Sequence, residues 1–251
     1  MCYQRSFTKV IKKKLKITER LNILKNIPLL SEMTAKIIHI SIFFLFNFLL
    51  ASSNSYGNTP GMSFIPAGKF NIGISTKEIY VGEFYIDKTE VTQKKFIEIM
   101  GPSNFFFRGE SHPAEQITWE KANVYCQKIG KRLPNELEWE KAAKGGTSTN
   151  YFWGNEPDAT YAWYGGDYDI GHHPAGMKKP NSFGLFDTSG NVWEWTDSKG
   201  ETQSKYSGEK IHKRIARGGS FNISPNLITS SSRISLYASS RLFNVGFRCA
   251  K

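Results

Sequence analysis

Sulfur is scarce in this chain: its 251 residues contain three cysteines. Cys2 lies in a basic N-terminal stretch, so the rest of the chain keeps an even pair, Cys126 and Cys249. Such a pair suits an oxidising compartment, either bridged or as two buried thiols. No apolar run reaches the roughly 20 residues that a transmembrane helix needs. There is no phosphate-binding glycine loop, no Gly-x-Ser-x-Gly elbow and no His-Glu-x-x-His, which sets aside P-loop, α/β-hydrolase and zincin chemistry. Internal repeats and low-complexity tracts are missing too, apart from serine enrichment after Ser220. A basic stripe with interleaved aromatics is also absent. Residues 1–36 hold nine Lys or Arg and two acidic residues, so they carry +7 of the net charge of +11. The +4 left for the remainder is a solvated surface, and nucleic acid is not an expected partner.

What the N-terminus does have is an apolar stretch of fourteen residues, Ile37 to Leu50, interrupted by His39, Ser41 and Asn47. Lys36 precedes it and Ala51-Ser52-Ser53 follows it, the layout of a signal peptide, with a retained signal anchor as the alternative. Met33 would give a compact charged start, in which case residues 1–32 are not translated. The expected organisation is a basic leader and signal peptide or anchor over 1–53, a short polar linker over 54–60, and one domain over 61–251. The domain is placed outside the cytoplasm and meets a membrane only through the N-terminal segment.

Phe64-Ile65 and Ile79 to Ile86 read as short strands bounded by Gly68, Gly73 and Gly82. Three helices follow. Thr92 caps one that runs to Met100 and stops at Gly101-Pro102. Thr118 caps a second that ends at Gly130 and carries Ala122, Tyr125 and Cys126 at core-facing spacing. Asn135 with Glu138 forms a capping box for a third, which stops at Gly145-Gly146. Residues 147–251 are rich in aromatics, glycine and serine without long periodic segments, so loops held by something other than β-ladders are expected there.

Several blocks fit neither a helical nor a strand period: Gly184-Leu185-Phe186-Asp187-Thr188-Ser189-Gly190-Asn191-Val192-Trp193-Glu194-Trp195-Thr196, then Arg217-Gly218-Gly219-Ser220, then Gly246-Phe247-Arg248-Cys249. Ahead of them stand Phe64-Ile65-Pro66-Ala67-Gly68, Tyr85-Ile86-Asp87-Lys88-Thr89-Glu90-Val91-Thr92, His112-Pro113, Ile117-Thr118-Trp119 and Arg132-Leu133-Pro134-Asn135-Glu136. In this order the blocks resemble the sulfatase-modifying factor, or formylglycine-generating enzyme, family. The resemblance implies an irregular α+β fold, distantly like C-type lectins, with little regular secondary structure.

It also implies a structural calcium loop in which Asp187 and Glu194 supply carboxylates and Gly190 and Val192 supply backbone carbonyls, a ligand set that suits a hard cation. A bound cation would relieve the repulsion between two neighbouring carboxylates. A second calcium site in some relatives uses an asparagine where this chain has Trp163. Cys126 and Cys249 match a bridged pair in secreted relatives, and closing that loop would contribute about 4–5 kcal/mol in the chain-entropy model.

In catalytic members, the Arg-Gly-Gly-Ser motif leads into two cysteines five residues apart that bind Cu(I), activate oxygen and oxidise a substrate cysteine in a sulfatase. The corresponding residues here are Ile223 and Ile228. Soft thiolates hold Cu(I) and isoleucine has no lone pair, so copper is not an expected cofactor. Ser220, Asn244 and Trp193 match residues that line the catalytic pocket, and each also has a structural explanation: capping a turn, satisfying loop backbone, or packing in the core. His172-His173 with Asp167 and Asp169 offers transition-metal ligand types at a spacing that fits no motif, so a solvated loop is favoured. The serine-rich segment 221–245, with Arg233, Arg241, Tyr237 and Phe243, resembles an adaptable recognition face for a protein or glycan ligand. Some C-type-lectin-like relatives diversify this position through retroelements. A loop that merely covers the core is the alternative. The expected function is an exported, non-catalytic binding or accessory module. An oxidoreductase or maturation factor of the same family with an altered site is the other reading.

Overall fold

Three local caps turn extended backbone into helix. The Thr92 hydroxyl accepts from Lys95 N and opens α1 (Gln93–Met100), and Thr118 does the same from Lys121 N for α2 (Trp119–Lys128). Asn135 accepts from Leu137 N and Glu138 N, while Glu138 reaches back to Asn135 N, a reciprocal box that starts α3 (Glu136–Lys144). A cap of this kind is worth about 1 kcal/mol. Gly145, left-handed at φ 58°, closes α3. All three helices lie where their caps and glycines predict. The structure is a computed structural model that describes residues 59–73, 75, 77–166, 169–200 and 212–251. The expected leader and signal segment over 1–53, most of the linker over 54–60, and Asp167 lie outside the described residues.

Four short strands precede the helices. β1 (Met62–Ile65) pairs antiparallel with β4 (Phe84–Asp87), and β2 (Gly68–Asn71) pairs with β3 (Glu78–Val81). The stretch Ile79 to Ile86, expected as one strand, is two that break at Gly82 and take different partners.

A larger correction concerns the second half of the chain. It contains a four-stranded sheet of β5 (Trp193–Lys199), β6 (Lys213–Arg217), β7 (Arg233–Tyr237) and β8 (Val245–Gly246), in the order β7-β6-β5-β8. β5 and β6 are antiparallel, as are β6 and β7, while β8 runs parallel to β5. The first four residues of β5 are all buried, so this strand has no inside-outside alternation to betray it.

The main core joins α1, α2 and the sheet. Phe96 stacks on Tyr125 with centroids 5.6 Å apart and meets the edge of Phe247 at 6.2 Å. Beside them Cys126 and Cys249 form a disulfide with Cα atoms 5.7 Å apart, which binds α2 to the end of the chain. Among the described residues no helix is long and apolar enough to cross a membrane; the apolar run 37–50 lies outside them.

Candidate functional site

Two strands and a glycine turn bring the candidate pocket residues together. Trp193 N at the start of β5 donates to Asn244 O (2.8 Å), which places Asn244 just before β8. After β6 the chain turns through Gly218 and Gly219, with φ of 95° and 83°. A Cβ at Gly219 would collide with Ile228, and one at Gly218 would press tightly on the Trp139 ring. The turn delivers Ser220, fully buried, to Asn244. Asn244 Nδ2 donates to Ser220 Oγ (3.3 Å) and to Asn222 Oδ1 (3.2 Å), and Ser220 Oγ donates to Asn222 Oδ1 (2.8 Å). This network leaves the Asn222 amide NH2 and the Asn244 side-chain carbonyl unused, one donor and one acceptor on half-buried residues. Asn222 carried no sequence signal. Trp193 packs in the main core with Trp195 and Phe247, which is the structural role.

An aromatic wall flanks the network. Phe243 lies 5.6 Å from Phe106, 6.0 Å from Phe107 and 6.2 Å from Phe221, and Phe106 is 60% exposed. Of the expected recognition residues, Phe243 therefore joins this aromatic group. Arg233 and Tyr237 stand on the edge strand β7, where Arg233 Nε reaches Glu136 Oε2 at 3.2 Å and the Lys213 ammonium lies 5.3 Å from the Tyr237 ring centroid. Arg241 is exposed in the loop that follows. Phe106 and Phe107 went unnoticed, although the run Phe105-Phe106-Phe107 was an available signal.

The two positions that would carry copper ligands do come together, as packing. Ile228 is fully buried against Tyr151 and Ala162, and Ile223 packs on the same cluster. Gly165 N donates to Ile223 O at 2.9 Å, which fixes the backbone there. No side chain in this layer offers a lone pair suited to Cu(I).

The candidate calcium loop gives a divided answer. Gly190 has φ of 82° and abuts the Trp163 carbonyl, so only glycine fits. Val192 is fully buried. Asp187 Oδ2 accepts from Gly176 N at 2.6 Å, and its buried carboxylate, an oxygen ligand of the kind a hard cation takes, also meets the Glu90 carboxyl. Glu194 already has three donors. Its two oxygens receive Arg248 Nε and Nη2, each at 2.6 Å, and Trp139 Nε1 adds a third bond at 2.6 Å. At Trp163 the ring stacks on His173 at 3.5 Å and faces the Lys178 ammonium at 3.5 Å, with no side-chain oxygen for a second ion.

Glu90, unnoticed in the sequence, completes the acidic centre. It is 1% exposed and accepts from Asn191 Nδ2 at 2.9 Å. Burial first, and the Asp187 charge second, push its carboxyl well above the usual range. Burial also raises Asp187. Burial opposes the charge on Arg248, but Glu194, Glu90 and Asp187 outweigh it and keep the guanidinium protonated.

The adjacent histidines point apart. His173 stacks on Trp163, while His172 sets Nδ1 3.1 Å from His112 Nδ1 and Nε2 3.8 Å from Glu115 Oε1. Among the described residues no three His, Cys, Asp or Glu side chains are grouped to hold a metal ion.

A family model described as the sulfatase-modifying factor enzyme 1-like domain matches residues 47–251. The chain is 35% identical over 167 residues to the inactive C-alpha-formylglycine-generating enzyme 2 of Bos taurus, covering 60% of this chain and 54% of that protein. It is 31% identical over 174 residues to the formylglycine-generating enzyme of Mus musculus, covering 60% and 47%. The chain thus spans about half the length of these two relatives. Among solved structures, Treponema denticola variable protein 1 superposes with a TM-score of 0.66 at 25% identity, covering 75% of this chain and 94% of that one. Ordered motifs, mixed α+β architecture and family match agree: this chain belongs to the sulfatase-modifying factor enzyme 1-like domain family.

Proposed function

We propose that this protein is an exported, non-catalytic member of its family that binds a protein or glycan ligand through the surface of Phe106, Phe243, Asn222 and Asn244, together with Arg233 and Tyr237 on β7 and Arg241 in the loop after it. The observation that carries the reading is the packed pair Ile223 and Ile228. Where catalytic members hold thiolates, this chain has apolar side chains, Ile228 fully buried and Ile223 partly so, which supports a reading without oxygen activation on Cu(I). The family itself leaves the question open, because both an inactive and an active relative match. An amide donor and acceptor beside exposed aromatic surface suits recognition of peptide groups or sugar hydroxyls. The apolar run 37–50 and the bridged Cys126 and Cys249 support a place outside the cytoplasm.

The test combines a Cu(I) competition titration of the purified chain with mass spectrometry of a sulfatase-type cysteine peptide incubated with chain, copper and oxygen. The expected outcome is no stoichiometric copper binding and no conversion of the thiol to an aldehyde. Tight copper binding, or aldehyde formation that requires the chain, refutes the reading.

A second reading, an oxidoreductase or maturation factor working without the cysteine pair, is favoured by the intact Ser220–Asn222–Asn244 network. Replacing Ser220 and Asn244 with alanine would then abolish a cellular maturation activity while the protein stays folded. Unchanged activity in that variant eliminates it.

A further inference from the structure

His112 and His172 meet where residues 105–115, which follow α1, pack against residues 171–176. The two Nδ1 atoms stand 3.1 Å apart, and His172 Nε2 lies 3.8 Å from Oε1 of Glu115, both side chains fully enclosed. At 3.1 Å one Nδ1 has to donate and the other accept. The contact therefore exists only while one of the two rings is neutral, because a second proton sets two N–H groups face to face. Close packing surrounds it. The edge of His172 meets the Phe107 ring with centroids 5.2 Å apart. A Cβ on Gly171 would strike that ring, and one on Gly109 would strike His112. Across the same junction Ala175 N donates to Ser111 O at 3.0 Å.

The charges facing the pair are few. Glu115 supplies one carboxylate, whose Oε1 already accepts from Phe106 N at 2.5 Å and Phe107 N at 3.0 Å. Residues 171–178 add His173, stacked on Trp163, and Lys178 against the same ring. From α1 comes the neutral Gln93, bonded to Phe107 O, Pro113 O and Gly109 N, while Lys94 pairs with Glu110 at 3.4 Å and Arg108 is exposed. Phe221 contributes only a ring, 6.3 Å from His172. One negative charge answers one imidazolium at most. Burial first, then the charges of His172 and His173, lower the pKa of His112. Burial, then Lys178 and His172, lower that of His173.

We propose that the His112–His172 contact is an acid-released latch between residues 105–115 and residues 171–176. Closed, the imidazole pair holds one proton at most. Opened, both rings are solvated and each takes a proton near the ordinary value of about 6.5. The form that binds more protons gains as the pH falls, so the latch is closed above about 6.5 and gives way below it. One extra proton raises the open fraction about tenfold between pH 7.5 and 5.5. Opening takes His172 and Gly171 off the Phe107 ring, which packs on Phe221 and Phe243 at 5.8 and 6.0 Å. A ligand held by that aromatic group would then be bound at neutral pH and released in acid. This consequence rests on the recognition reading, whereas the latch itself does not.

Hydrogen exchange of the purified full chain, followed by NMR and converted to protection factors, reads the opening at the Ala175 amide. Its protection should fall about tenfold from pH 7.5 to 5.5, while the amides of Ala122, Tyr125 and Cys126 inside α2 keep theirs. Spectra of 15N-labelled histidine should show His112 gaining a proton over the same interval. His112→Gln leaves a polar side chain that does not titrate, so it should remove most of the fall. Near-ultraviolet circular dichroism establishes that the variant is folded. Equal protection of Ala175 at the two pH values in the native chain, a measurement that needs no variant, overturns the proposal. A fall shared by the α2 amides overturns it as well, since that is general unfolding, and so does an equal fall in His112→Gln. No ligand enters these measurements, so failure of the latch leaves the recognition reading standing, and failure of that reading leaves the latch to be judged on Ala175.

Discussion

Replacing Arg248 with methionine isolates what anchors the C-terminal end of the sheet. The side chain is fully enclosed and makes two 2.6 Å bonds to Glu194 and three bonds to carbonyls of Asp87, Lys88 and Phe186. Methionine keeps much of the volume and removes every donor. Breaking a buried pair from one side costs about 3–5 kcal/mol because the partner's charge is left uncompensated. The upper part of that range applies, since three carbonyls also lose a donor. Against a total stability of about 5–15 kcal/mol the loss is large, and it corresponds to a melting-temperature drop of about 10–15 °C for a domain this size. Urea unfolding followed by tryptophan fluorescence measures it. The double variant Glu194→Gln with Arg248→Met should recover part of the loss, because glutamine removes the stranded charge while still accepting from Trp139 Nε1. A single-variant cost below about 1 kcal/mol, the size of an exposed ion pair, would refute the claim that this bond holds β8 against the rest of the fold.

Other expectations follow from the same geometry. Ile228→Ala should cost about 2–5 kcal/mol by urea unfolding, because the side chain is fully buried and the cavity is walled by Tyr151 and Ala162. Replacing both Cys126 and Cys249 with alanine should destabilise the chain by about 4–5 kcal/mol in the chain-entropy model, and reductant should lower the melting temperature of the native chain but not of the variant. Burial, with a smaller contribution from His172 and His173, lowers the pKa of His112. The folded state therefore resists a proton that the unfolded chain accepts, so the stability this residue contributes is present above its unfolded pKa of about 6.5 and is lost as the pH falls below it. Because Glu90 and Asp187 are shifted the opposite way, the informative quantity is the difference between native and His112→Gln stability from pH 7.5 to 5, which should narrow on acidification.

Chemistry carried by neighbouring residues was legible in the sequence, and chemistry that needs distant residues was not. Thr92, Thr118 and the Asn135–Glu138 box act within one helical turn, so their caps could be read directly. β5 was hidden because its buried half has no alternation, and because its partners lie across long connections at β6 and β8. The apolar nature of Ile223 and Ile228 was plain, but their closed layer with Tyr151 and Ala162 exists only in three dimensions. Glu194 reads as a metal ligand from its own loop, and its bond to Arg248, 54 residues away, is visible only in three dimensions. Glu90 sits inside a recognised block with nothing local to mark it, and the bond it accepts from Asn191 spans 101 residues. Asn222 lay between two prominent positions and acquires meaning from Asn244, 22 residues on.

Nothing that positions the amide network requires thiolates at 223 and 228. Ser220 is set by Gly218 and Gly219 pressing on Trp139 and Ile228, Asn244 by the bond from Trp193 N, and the segment between by the bond from Phe221 N to Asn191 O. In this arrangement isoleucine at 228 contributes to the turn directly, since its side chain is what Gly219 packs against. Cysteine at 223 and 228 would offer soft ligands at the expense of apolar contact, whereas isoleucine at 228 packs against the turn. The donor and acceptor of Asn222 and Asn244 are presented beside Phe243 with isoleucine at both positions of the layer beneath. The fold constrains the shape of this face far more than it constrains the reaction, so the argument about function has to rest on the residues that line it.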